Sequence, residues 1–222
     1  MGFARLALLI IALPAMGGEL HAQIVPYAFG SAVAPTIAAT SAVANLSPSV
    51  FSAKRGSPAT GSGNPLYSAG SGSGYFTASA WTGSAPGTNC FAFTLTPNSG
   101  YELSLSSISF GYRATGSGPT AFAVRSSSDT YASARTSGTI QNDSSWPSSG
   151  TLSITLSSLP PATALGVYGF GASSGLGTLR VDDVTLIGSV VAISEPATYA
   201  AILGAAALAG VMIPRQRLPP AA

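Results

Sequence analysis

The sequence predicts an all-β protein, an antiparallel jelly-roll-like β-sandwich, with helix confined to its two ends. Three observations carry this expectation. Between Gln23 and Ser194, apolar residues recur with a period of two over short runs, which sends alternate side chains to opposite faces of a strand. Turn-rich segments of Gly, Pro, Ser and Asn separate these runs at fairly regular intervals, as in a sandwich. No stretch in the region keeps a helical apolar period over three turns.

Residues 1–22 read as a secretory signal peptide, expected as a short helix. Arg5 supplies the positive start, Leu6 to Leu13 the apolar run, and Pro14 the break. The small Ala22 places a cut ahead of Gln23, with a site nearer Gly17 and Gly18 as the alternative. Residues 23–74 are rich in Ala, Ser, Pro and Gly, and read as the N-terminal part of the sandwich or as a linker. Ile24-Val25 and Ala32-Val33 are candidates for an early strand. Ser47 to Ser49 and Lys54 to Gly63 read as loops, and the Gly/Ser alternation from Ser68 to Gly74 as a flexible loop.

Residues 75–190 are the expected β core. Tyr75 to Trp81 is one strand. Cys90 to Thr96 sets Phe91, Phe93 and Leu95 on one face, then turns at Pro97-Asn98-Ser99-Gly100. Tyr101 to Tyr112 follows, and its apolar phase slips at Ser106-Ser107, which predicts a bulge. Phe122 and Val124 share a face of the run from Thr120 to Arg125. Tyr131 to Arg135 and Thr139 to Gln141 are weaker runs. Leu152, Ile154 and Leu156 alternate, Leu165 to Ala172 carries Val167, Tyr168 and Phe170, and Thr178 to Ile187 closes the domain.

The chemistry is bounded mainly by what is scarce. Of 222 residues only 7% are charged, against about 25% in an ordinary soluble domain. Between Gln23 and Ser194 the basic residues are Lys54, Arg55, Arg113, Arg125, Arg135 and Arg180; the acidic ones are Glu102, Asp129, Asp143, Asp182 and Asp183. No block of like charge exists to neutralise phosphates, so nucleic acid is not an expected partner. His21 is the only histidine and falls in the leader, which removes Ser-His-Asp and Cys-His catalysis from the mature chain. Cys90 is the only cysteine, so an internal disulfide and a zinc cluster are both excluded. It reads as a buried core thiol. Asp182 and Asp183 are neighbours on a strand and are expected on opposite faces, so they cannot form a glycosidase pair. Either one is a candidate ligand for a structural Ca²⁺ with backbone carbonyls, or a structural partner of Arg180. No other cofactor is expected, and the protein is not expected to be an enzyme.

Ligand candidates are fewer still. Arg113 and Arg125 are expected on adjacent strands, with Asp129 near enough to pair with Arg125. They read as structural ions or as a site for an anionic or sugar ligand. Trp81, Tyr112, Tyr131 and Trp146 are candidates for an aromatic platform under the apolar face of a sugar. Trp81 reads equally as core, and Trp146, in a polar loop, is the best candidate for an exposed ring.

Residues 194–217 are organised differently. Ser194-Glu195-Pro196 precedes an apolar run, residues 197–213, which is followed by Arg215 and Arg217. Seventeen helical residues reach about 25 Å, at the short end of what spans a hydrocarbon core about 30 Å thick. The two arginines favour the cytoplasmic side and so orient the rest of the chain outward. A single transmembrane helix follows, either as a plain anchor or as part of a signal. The order of short motif, span and basic end resembles the PEP-CTERM sorting signal of bacterial surface and exopolysaccharide-associated proteins. Glu195 and Pro196 match the second and third motif positions, while Ser194 stands where that family has Pro. The basic cluster holds two Arg and runs into Leu218-Pro219-Pro220-Ala221-Ala222. The resemblance implies handling by an exosortase-like membrane protease and a location at the bacterial cell envelope, surface or extracellular matrix. Gly118-Pro119-Thr120 and Arg180-Val181-Asp182-Asp183-Val184-Thr185-Leu186, among other stretches, look like cargo domains of proteins sorted this way. The last also resembles the closing strand of carbohydrate-binding jelly rolls. Together these lead to an exported, non-enzymatic structural or adhesive protein, with a polysaccharide-binding module as the alternative.

Overall fold

The computed structural model describes residues 21–30, 34, 36–55, 62–63, 70–72, 74–81, 83–141 and 149–193. The expected signal helix through residue 20, the motif at Ser194, Glu195 and Pro196, the span 197–213 and Arg215 and Arg217 lie outside them. Among the described residues no helix is long and apolar enough to cross a membrane.

In chain order the strands are β1 (Ala22–Tyr27), β2 (Thr36–Ile37), β3 (Leu46–Pro48), β4 (Phe51–Arg55), β5 (Ser62–Gly63), β6 (Gly70–Gly72) and β7 (Tyr75–Ala78). They continue as β8 (Asn89–Pro97), β9 (Tyr101–Ala114), β10 (Ala121–Ser126), β11 (Ala134–Thr139), β12 (Leu152–Leu159), β13 (Thr163–Phe170) and β14 (Leu179–Ala192). One 3₁₀ turn, Ser127–Asp129, follows β10. All pairings are antiparallel and fall into two sheets. The first runs β12-β9-β14-β7-β6, with β1 added to β14 beside β7; the second runs β11-β10-β13-β8-β4-β2, with β3 on β8 and β5 on β4.

The alternation read from the sequence fills the space between the sheets. Phe91, Phe93 and Leu95 of β8 point in, as do Phe122 and Val124 of β10, and Leu103, Leu105, Ile108 and Phe110 of β9. Phe51 of β4 is the hub: its ring lies 5.1–5.9 Å from those of Tyr27, Phe29, Phe76, Phe91 and Phe93. These pairs, stacked with Phe91 and Phe93 and tilted or edge-on with the others, add to simple burial. Trp81 is core, its indole N–H donating to the Ala78 carbonyl at 2.7 Å. The aromatic interior is thus built mainly from the first half of the chain, with Phe122 added from the second.

The bulge expected at Ser106-Ser107 is present. Ser107 pairs with Ile187 and Leu105 with Gly188, leaving Ser106 as the extra residue of β9. Its hydroxyl donates to the Ile187 carbonyl at 3.2 Å. The early strand expected at Ile24-Val25 is also present as β1, while Ala32 and Val33 lie outside the described residues.

Three expected loops hold strand residues, while 56–61 lie outside the described residues. Ser47 and Pro48 belong to β3, Lys54 and Arg55 to β4, and Ser62 and Gly63 to β5. Gly70–Gly72 is an edge strand paired with β7 through a turn at Gly74, whose φ is +83°. Their neighbours override their weak propensity: β4 is held by β8, and β6 by β7. The two weak runs near residues 131–141 resolve into the single strand β11 and an intervening turn.

Candidate functional site

The outer face of the second sheet carries a candidate site, and a kink creates it. Along β8, Pro48 pairs with Leu95 and Ser52 with Ala92. Ser49, Val50 and Phe51 therefore stand opposite only Phe93 and Thr94, so the edge bulges between β3 and β4. Pro48 brings no N–H to the ladder, which suits a strand about to break. Ser49 repairs the break. Its N–H donates to the Thr94 carbonyl at 2.7 Å, and its Oγ accepts the Thr94 N–H at 2.8 Å. Its carbonyl accepts the Tyr27 hydroxyl at 2.8 Å, from the core side. The kink opens a pocket of ≈ 170 Å³ lined by Ser49, Val50, Ser52, Lys54, Ala92 and Thr94. Val50, on its rim, is 44% exposed.

Beside the pocket, Tyr168 of β13 packs on Cys90 and Ala92 of β8. Ala92 is thus shared by pocket and ring. The Arg125 guanidinium of β10 lies over the Tyr168 ring at 5.6 Å from its centre. One of its Nη atoms donates to the Tyr131 carbonyl at 3.1 Å, while its buried Nε has no acceptor among the described residues. Register places Ser52, Ala92, Gly166 and Arg125 in one line across β4, β8, β13 and β10. Burial pushes the Cys90 thiol up to about 12, partly offset by a hydrogen bond with Tyr168 and by Lys54. Burial raises the Tyr168 phenol too, and Arg125 works against that shift. Both groups stay protonated at neutral pH, so the cluster offers no nucleophile.

The structure therefore brings Arg125 and Tyr131 together and adds Tyr168, Lys54 and the Ser49 kink, which sequence reasoning missed. Lys54 was hidden in an expected loop, and Tyr168 looked like one more member of an apolar run. Arg113 is elsewhere: it sits on β9 of the other sheet, directly opposite Arg180 of β14, so the expected adjacency with Arg125 is corrected. Asp129 bridges Arg135 at 3.0 Å, not Arg125. The 3₁₀ turn and the left-handed Thr130 and Tyr131 curl Asp129 back toward β11. Tyr112 packs against Phe110 and Phe122 and is no platform. Trp146 lies outside the described residues. Cys90 is buried as expected, but on the outer face of its sheet, away from the main core.

Asp182 and Asp183 also depart from expectation. Asp182 pairs with Gly111 and Thr185 with Ser109, so two residues of β14 stand against one of β9. Asp183 takes φ +45°, and its N–H donates to an Asp182 carboxylate oxygen at 2.8 Å. Val181 and Val184 both face the core, which leaves both aspartates outside it and not on opposite faces. Burial and the Asp183 charge raise the Asp182 carboxyl above its usual range, against the pull of the Asp183 amide. Among the described residues no three His, Cys, Asp or Glu side chains gather as a metal cluster. On the same sheet Arg180 lies over the Tyr75 ring at 4.8 Å, the counterpart of Arg125 on Tyr168.

No protein-family model matches the chain, and no curated protein matches it. Among solved structures it is similar to the K3 cleaved adhesin domain of Lys-gingipain from Porphyromonas gingivalis w83, at 14% identity and a TM-score of 0.37 over 75% of this chain and 98% of that one. It is also similar to a family 11 carbohydrate-binding module from Clostridium thermocellum, solved with a β-1,3-1,4-mixed-linked tetrasaccharide, at 18% identity and a TM-score of 0.31 over 75% of this chain and 97% of that one. The sandwich is defined by its two sheets and the core between them.

Proposed function

We propose that the chain is an exported, non-enzymatic bacterial surface or matrix protein that holds polysaccharide on the outer face of its second sheet. In this reading residues 1–22 export it, and Ser194, Glu195 and Pro196 with the span and Arg215 and Arg217 present it to an exosortase-like protease. One observation carries the binding role. A pocket ringed by hydroxyls and an apolar rim adjoins an arginine that is stacked on a tyrosine and keeps a buried donor without an acceptor. Buried donors of this kind ordinarily find a partner, and a sugar hydroxyl or carboxylate supplies one. The strands hold these groups in place before a ligand arrives, which lowers the ordering cost of binding. The absence of histidine after residue 21 and the lack of a facing carboxylate pair support binding without turnover.

The test is a glycan array probed with the full chain and two variants. Ala92→Trp fills the pocket and Arg125→Ala removes the donor. Retention of one glycan class by the parent, weakened about ten-fold or more by either change, is the expected result. Silence across a broad array, or binding indifferent to both changes, returns the protein to a purely structural coat role.

A further inference from the structure

We infer that the ligand of this face is an acidic polysaccharide, lying across the strands from Lys54 to Arg125. This rests on the polysaccharide reading above and narrows it. The charges of the domain are few, and the described ones divide unevenly between the two outer faces. On the first sheet Arg113 and Arg180 share the β9/β14 pair with Glu102, Asp182 and Asp183, so no positive excess stands there. On the second, Asp129 is consumed by Arg135, and neither Lys54 nor Arg125 has a carboxylate partner among the described residues. The two uncompensated charges are both positive.

Their spacing gives the ligand its form. Lys54 stands on β4 and Arg125 on β10, separated by β8 and β13. Three inter-strand steps make about 14 Å. That is too far for one carboxylate to meet both cations, and it suits a chain that repeats its acid groups. The row that leads to Arg125, Ser52, Ala92 and Gly166, is small and uncharged, and Lys54 stands two residues along β4 from it, in the row of Cys90 and Tyr168; neither row holds a carboxylate. The Tyr168 ring itself is 3% exposed and capped by Arg125, so the guanidinium, not a bare aromatic face, is what a ligand meets there. A neutral glucan would leave both charges as they are; a uronate chain supplies acceptors to both, and charge-assisted hydrogen bonds are about twice as strong as neutral ones.

The experiment compares polygalacturonate with its methyl ester, the same chain without charge. The full chain, kept in mild detergent, is run through affinity gels containing either form at low and high salt. Polygalacturonate is expected to bind at least ten-fold tighter than the ester, and to weaken as salt screens the charges. Lys54→Gln and Arg125→Gln are each expected to weaken it about five- to ten-fold, with the melting temperature unchanged in Lys54→Gln and lowered in Arg125→Gln, which gives up its bond to the Tyr131 carbonyl. Arg180→Gln, on the opposite sheet, is the control expected to leave binding intact. Equal binding of both forms, lost in Ala92→Trp, overturns the acidic assignment and leaves the polysaccharide reading standing. Loss of binding in Arg180→Gln to the same degree as in Arg125→Gln also overturns it. No binding to either form, in a chain that is silent on the glycan array as well, overturns both.

Discussion

Ser49 shows how one side chain sets the shape of a site. Its hydroxyl stands in for a missing ladder carbonyl, and its own carbonyl takes the Tyr27 hydroxyl that crosses from the other sheet. Tyr27 is fully buried and burial raises its phenol pKa, so at any ordinary pH it is a neutral donor. Removing that donor in Tyr27→Phe leaves the Ser49 carbonyl short of a partner on its buried side. The expected cost is about 1–2 kcal/mol in a urea melt, with the ring packing intact. The pocket is expected to lose affinity along with stability, since the kink is its wall. Unchanged stability would mean that water replaces the phenol and that the kink is held by Thr94 alone. Neither Ser49 nor Tyr27 announces this role in the sequence: the contact joins residues 22 apart that belong to different sheets, and no local pattern encodes it.

At the scale of strands, the long alternating runs were legible and the short ones were not. Strands β8, β9, β12 and β14 bury one face against a core, so their period of two survives in the sequence, whereas β13 is buried on both faces and reads as a plain apolar run. Strands β3, β4 and β6 are only 3, 5 and 3 residues long and are defined by the strand beside them. Propensity alone reads such segments as loops. The candidate site suffered for the same reason, because its pocket lies on β4. The bulge in β9 was legible because it slips the apolar phase, whereas the bulge at Asp183 hides in a run that still alternates on either side of it. The β9 bulge also fixes a residue of β14. A Cβ on Gly188 would press into the Ser104 carbonyl oxygen, a backbone atom with nowhere to go. Gly188→Ala is therefore expected to cost about 2–3 kcal/mol in a urea melt, more than a solvent-facing strand position ordinarily loses. A neutral result would mean that β9 can slide its bulge past β14.

For the whole molecule, β14 joins the ends. It lies inside the first sheet between β9 and the pair β1 and β7, so the last strand made is also the one around which that sheet closes. Ala22 at the start of β1 pairs with Gly188, and β14 leaves the sheet at Ala192. The chain thus enters and leaves on the same sheet. Ile193 donates its N–H to the Gly100 carbonyl at 2.8 Å, and Ser194, the first position of the expected motif, follows at once. Processing at residues 194–196 would then leave every described pair of β14 in place. A mature species isolated from outside the cell, lacking the first twenty-odd residues and everything beyond Pro196, is the expected result of intact-mass measurement. Its melting temperature should equal that of the unprocessed chain. Ending the chain at Ser189 instead deletes the pairs Val190 with Leu103, Val191 with Glu102 and Ala192 with Tyr101. A loss of even 2 kcal/mol there should lower the melting temperature by about 4–8 °C. A membrane-bound species that keeps Arg215 and Arg217 would make the C-terminal segment a plain anchor. The described pairs of the sandwich are present in both species, because the last of them, at Ile193, precedes the motif by one residue.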